Sequence, residues 1–221
     1  IKEAGAAWSE KICSRLEQPI IIDINKEAIG SELALASTSN YYVFDKSYKQ
    51  HRDLLKRNSF VSTVKHLPKT LTYDIEEAYQ IEGFGFTLAN LRALTNAPIE
   101  RFKVPHDANI KINSLKTFGE KYDLFSIIKH EIGHVLGFIS GIDEISDSNI
   151  HKKLHAYTLD FYRFHPDNVP KNKDEFYKFK RNFVVNKTHH CFNNLESTEE
   201  LSTGIYGDGY QASHWKNRNG I

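Results

Sequence analysis

The 221-residue chain contains no methionine and only two cysteines, Cys13 and Cys191. The two lie far apart and match no C-x-x-C metal pattern. They could close one long-range disulfide or remain two buried thiols, so they do not fix a redox compartment. No apolar run approaches the roughly 18–20 residues needed to span a bilayer, and no secretory signal peptide is visible. Neither sign of charge dominates, with 29 Lys plus Arg against 28 Asp plus Glu. That balance lacks both the basic footprint of a nucleic-acid binder and the acidic run of a disordered tail. Internal repeats and low-complexity linkers are also missing. The chain begins at Ile1, inside a helical pattern. Together with the lack of methionine, this leads us to expect a processed chain, with a methionine-bearing segment outside the sequence.

What is present is ordinary for a globular protein: 40% hydrophobic and 26% charged residues. The length suits one compact domain, or one split by a cleft into two lobes. Residues 2–16 place Ala4, Ala7, Trp8, Ile12 and Leu16 at helical spacing, and Pro19 ends that pattern. Ile20–Ile24 reads as a buried strand, and Leu33–Phe44 as a strand region interrupted by the polar residues 37–40. Lys46–Arg57 reads as a charged helix, and Thr70–Ile75 as a strand or a loop. Residues 81–99 are ambiguous, because Gly83 and Gly85 break the pattern. Ala108–Asn113 alternates as a half-exposed edge strand would. Leu154–Phe164 reads as a helix stopped by Pro166, and the chain beyond it is turn-rich.

The strongest helix spans 122–138. Leu124, Ile127, Ile128, Ile132, Val135 and Leu136 give it a broad apolar surface, and Gly137 fits a C-terminal stop. It carries His130-Glu131-Ile132-Gly133-His134, an H-E-x-x-H pattern. Positions i and i+4 share a helix face, so both imidazoles can reach one metal ion, while Glu131 stands beside them to take a proton from water. Zinc suits this donor set and lowers the pKa of bound water to about 7. A chance match is the bland alternative. It would not be expected to fall on the best helix, nor to bury two histidines and a glutamate without compensation.

A catalytic zinc site needs a third protein ligand. The stretch His130–Gly137 resembles the metzincin pattern H-E-x-x-H-x-x-G-x-x-H, but Ser140 stands at its third-ligand position. Residues 207–216, GDGYQASHWK, supply His214, which lies 80 residues past His134. Leishmanolysin-like peptidases likewise place the third histidine after a long insertion. The pairing of His130–Asp143 with Gly207–Lys216 is most similar to bacterial secreted metallopeptidases; residues 159–164 match more loosely and 1–110 only faintly.

The resemblance implies an α+β zincin fold of metzincin-like type. Residues 1–138 would form an N-terminal lobe with a twisted mixed sheet and the active-site helix. Residues 139–221 would form a less regular C-terminal lobe that brings His214 back to the metal. A methionine turn would follow beyond Ile221, and the protein would be secreted; the Asn186-Lys187-Thr188 sequon is weak support for that. The expected activity is a zinc endopeptidase acting on protein or peptide substrates, with His130, His134 and His214 as ligands and Glu131 as base. Tyr206 and Tyr210 are candidate oxyanion donors. Ala108–Asn113 would hold a peptide by main-chain pairing.

Other potential donors are present in the sequence. Asp160 is a geometrically possible third ligand, and Glu144 lies only ten residues past His134. His151 with His155 reads as a solvated helix face. His189 and His190 beside Cys191 are adjacent, so they would rarely point the same way. Two other functions remain open: a catalytically silent, zinc-stabilised binding or adhesion module, and a metal-dependent hydrolase of non-peptide amides. Glu131 discriminates the first, because a silent site has no need of a carboxylate there.

Overall fold

The computed structural model of the chain describes residues 1–10, 17–30, 34–45, 47–58, 62–75, 77–119, 122–144, 153–184, 189–194, 197–201 and 214. The fold is mixed α+β. Its helices are α1 (Lys2–Ser9), α2 (Tyr48–Asn58), α3 (Leu88–Thr95), α4 (Leu124–Val135) and α5 (Lys173–Lys178). Its strands are β1 (Ile22–Glu27), β2 (Ala36–Asn40), β3 (Tyr42–Asp45), β4 (Tyr73–Asp74), β5 (Gln80–Thr87), β6 (Ala108–Asn113), β7 (Lys153–Tyr157), β8 (Arg163–Phe164), β9 (Arg181–Asn182), β10 (His189–Asn194) and β11 (Ser197–Leu201). No helix among the described residues is long and apolar enough to cross a membrane. Cys13 and the Asn186 sequon lie outside the described residues.

The chain divides into two compact units, Ile1–Val43 with Phe86–Phe138, and Phe44–Gly85 with Ile139–Ile221. Residues 44–85 thus group with the C-terminal half, where the sequence reading assigns them to the N-terminal lobe. The physical reason is strand pairing. Gln80–Gly85 of β5 run parallel to β7, with Gly83 opposite His155.

In the first unit a three-stranded sheet has the order β1-β6-β2, with β6 parallel to β1 and antiparallel to β2. Ala108–Asn113 is therefore the middle strand and not the edge strand its alternation suggests. Ala108, Ile110 and Ile112 are buried against Ile128, Ile132 and Val135 of α4. The polar residues 37–40 are part of β2 instead of an interruption. Thr38 and Asn40 of that strand both reach α4, through bonds described below. Helix α1 packs on α4 as well: the Trp8 indole N–H donates to Lys129 O over 2.6 Å. Gly133 makes room for that ring, since a Cβ there would lie 3.2 Å from Trp8 Cζ2. Behind the sheet, Arg92 of α3 is buried in an ion pair with Asp107. Arg92 also donates to Pro19 O and Asp107 also accepts from Ile21 N, so two loops are tied at one point.

In the second unit β5 continues through Gly83 and Gly85, with a shift of register against β7 between Ile81 and Gly83. The glycines belong there because aromatic rings fill the space a side chain would need. A Cβ at Gly85 would lie 2.6 Å from Tyr157 Cε1 and 2.9 Å from Phe44 Cε1. The expected helix at 154–164 is instead β7, a 3-10 turn at Thr158–Tyr162 and β8. Its apolar residues suit either structure by spacing, and parallel pairing of Leu154 and Ala156 with β5 decides for the strand. The core here is aromatic. Tyr48 and His51 of α2 stand edge-on to Phe161 at centroid distances of 5.3 and 5.2 Å. The buried Arg181 guanidinium lies over Phe164 and Phe176 and donates to Phe161 O and Phe179 O.

Candidate metal centre

Helix α4 begins on Asp123, whose carboxylate accepts from Phe125 N and Ser126 N. These bonds satisfy two of the donors that a helix start leaves open. The other end is closed more completely. Gly137 adopts φ +100°, Phe138 N donates to Gly133 O, and Gly137 N donates to His134 O, which together form a Schellman turn. Three side chains from elsewhere in the unit donate to carbonyls of this turn. Asn40 Nδ2 donates to His134 O (3.4 Å), Thr87 Oγ1 to Val135 O (2.7 Å) and Asn90 Nδ2 to Leu136 O (3.0 Å).

That ending decides the chemistry of His134. Its Nδ1 stands 2.7 Å from Phe138 O. A carbonyl only accepts, so Nδ1 carries the proton, and the lone pair of the neutral ring is at Nε2. This atom faces His130 Nε2 at 3.0 Å, with the rings nearly perpendicular. Two nitrogens on one tetrahedral zinc ion, each bonded at 2.0–2.1 Å, stand about 3.3 Å apart. The pair fits a metal to within a few tenths of an ångström. The backbone bond to Nδ1 also fits, as the outer contact that typically orients a metal-bound histidine.

Glu131, nearly buried at 7% exposure, lies on the same turn and accepts from Thr38 Oγ1 at Oε2 over 2.5 Å. No cation among the described residues pairs with it. Its carboxylate is therefore held by a neutral donor, the Thr38 hydroxyl.

His214, the third histidine of the predicted set, belongs to the second unit and is half-buried there.

The rival donors are placed otherwise. Asp160 is fully buried, with Oδ2 accepting from Gly141 N and Tyr157 N and Oδ1 accepting from Ser140 Oγ. Burial pushes its carboxyl up to about 6, against the pull of Arg163 and these donors. Ser140 and Asp160, the two alternative third positions, are thus occupied with each other. His155 sits on a strand and not on the expected helix face, its ring 4.1 Å from that of Phe44. His151, Tyr206 and Tyr210 lie outside the described residues, and the side chains of Glu144, His189 and His190 likewise.

Thr38, Asn40, Thr87, Asn90 and the carbonyl of Phe138 escaped the sequence reading. Only Thr87 carried a signal, as a helix-capping residue three positions before Asn90, whose N–H it accepts. Comparison with protein-family models, curated proteins and solved structures finds no match for the chain.

Proposed function

We propose that the chain is a zinc-dependent endopeptidase of zincin type, in which His130, His134 and His214 hold the ion and Glu131 is the general base. The observation that carries this reading is the 3.0 Å approach of the His130 and His134 Nε2 atoms, with the His134 lone pair fixed by Phe138 O. His214 is taken as the third ligand on the motif resemblance of residues 207–216. When bound, zinc supplies a Lewis acid and makes hydroxide available near neutral pH. Glu131 takes the proton of the attacking water and later returns it to the leaving amine. Its burial strengthens that exchange by keeping bulk water from the carboxylate. Secretion belongs to the same proposal and rests on the motif resemblance alone.

The test compares wild type with Glu131→Ala for bound zinc and for cleavage of an unstructured protein. Glu131→Ala is expected to keep its zinc and lose about 10²–10⁴-fold in rate. Zinc-loaded wild type that cuts no faster than Glu131→Ala would overturn the reading in favour of a silent module.

A further inference from the structure

The face of β2 turned to α4 carries Thr38 and Asn40, two polar residues where strand-on-helix packing usually places apolar ones. Thr38 stands opposite Ile110 in the sheet, so its position is set by the pairing of β2 with β6 and not by α4. From there its hydroxyl meets two acceptors on one residue, Glu131 Oε2 at 2.5 Å and Glu131 O at 3.3 Å. A hydroxyl has one proton to donate. The much shorter contact, to a charged acceptor, takes it.

We infer that Thr38 is a positioning residue that anchors Glu131 through Oε2 and thereby assigns proton transfer to Oε1. The inference rests on the peptidase reading. In the resting state Thr38 donates to Oε2, which fixes the plane of the carboxylate and leaves Oε1 as the oxygen that receives the proton of water. That water becomes hydroxide and Glu131 becomes a neutral acid at Oε1. The same proton then passes from Oε1 to the leaving amine, restoring the carboxylate. The Thr38 proton never leaves its oxygen. While Glu131 is neutral, its Oε2 is a weaker acceptor, and the main-chain carbonyl at 3.3 Å offers the hydroxyl a second partner. Thr38 thus holds the orientation of the carboxylate through both states.

The experiment uses Thr38→Val, which keeps shape but removes the hydroxyl, and Thr38→Ser, which keeps the hydroxyl. Zinc content, kcat and KM on an internally quenched peptide, and the folding equilibrium in urea are measured for each. Thr38→Val is expected to keep one zinc per chain and an unchanged KM while kcat falls about tenfold or more; Thr38→Ser restores kcat to within about threefold of wild type. Thr38→Val with wild-type kcat, or Thr38→Ser as impaired as Thr38→Val, overturns the inference. A double-mutant cycle with Glu131→Leu reads the bond without any activity. Thr38→Val should lower the folding constant about tenfold beside Glu131 but change it less than about threefold beside Leu. Equal losses in both backgrounds overturn the anchor. Failure of wild type to cut peptides, with coupling intact in the cycle, counts against the peptidase reading instead.

Discussion

Asn90 lies directly beneath Gly137: a Cβ at Gly137 would come within 3.1 Å of Asn90 Cγ, while Asn90 Nδ2 donates to Leu136 O just before it. The helix that carries two of the proposed ligands therefore ends in a turn that needs glycine twice over, for its φ of +100° and for the space Asn90 occupies. The next residue, Phe138, supplies the carbonyl that orients His134.

Gly137→Ala is accordingly expected to cost about 1–2 kcal/mol for the left-handed backbone alone, with more for displacing Asn90. Because the turn also places Phe138 O, zinc affinity should fall as well. Urea unfolding together with competition by a chelator measures both. Loss of stability with unchanged zinc affinity would mean that Phe138 O does not orient the ligand.

Ser140→His tests whether the shorter metzincin spacing can be restored. Ser140 is 3% exposed and donates to Asp160 Oδ1. A buried imidazole there would overpack the site and remove that bond, so a loss of about 2–4 kcal/mol is expected with no gain in zinc affinity. Tighter zinc binding would show that the backbone at 140 can present a ligand.

His214→Ala is expected to lower zinc occupancy after dialysis from about one per chain to a small fraction, since two histidines alone bind weakly. Unchanged occupancy, read by elemental analysis, would point to a different third donor.

Two buried groups in the second unit push acid stability in opposite directions. Burial pulls the His51 imidazole from 6.5 down to about 3. Between those values the unfolded chain holds the extra proton, so the folded state loses stability as pH falls. Asp160, raised from 3.8 to about 6, keeps its proton in the folded state across that window. Its contribution is greatest at low pH and is lost as pH rises through about 6. His51→Phe should therefore flatten the acid decline, and Asp160→Asn should steepen it, each by up to about 1.4 kcal/mol per pH unit. Urea titrations from pH 4 to pH 7 resolve the two slopes; identical slopes in all three proteins would contradict both assignments.

Helix α4 was legible in the sequence because apolar spacing, an aspartate at its start and a glycine at its end agree. Strand β2 was not, since Thr38 and Asn40 face polar groups of α4 and so break the alternation that announces a strand. Gly83 and Gly85 misled for a related reason: the rings that fill their space come from Phe44 and Tyr157, distant in sequence. At 154–164 the apolar spacing fits a helix or a strand, and parallel pairing with β5 settles it, which no local pattern reports. His130, Glu131 and His134 could be read locally because one helix turn holds them. His214 could be read only through a second motif, as 80 intervening residues carry no spacing information. The residues that hold these groups in place are single polar side chains on other elements, and composition gives no sign of them.

The seat of Trp8 on α4 has an optical consequence. Its indole N–H is bonded to the carbonyl of Lys129, one residue before His130, and its ring lies against Gly133, one residue before His134. The chain has only one other tryptophan, Trp215, and it directly follows His214 in sequence. Each indole is therefore a neighbour, in space or along the chain, of a proposed ligand. The emission of this protein is expected to report on the three proposed ligand histidines, with no label to attach and no third tryptophan to dilute the signal.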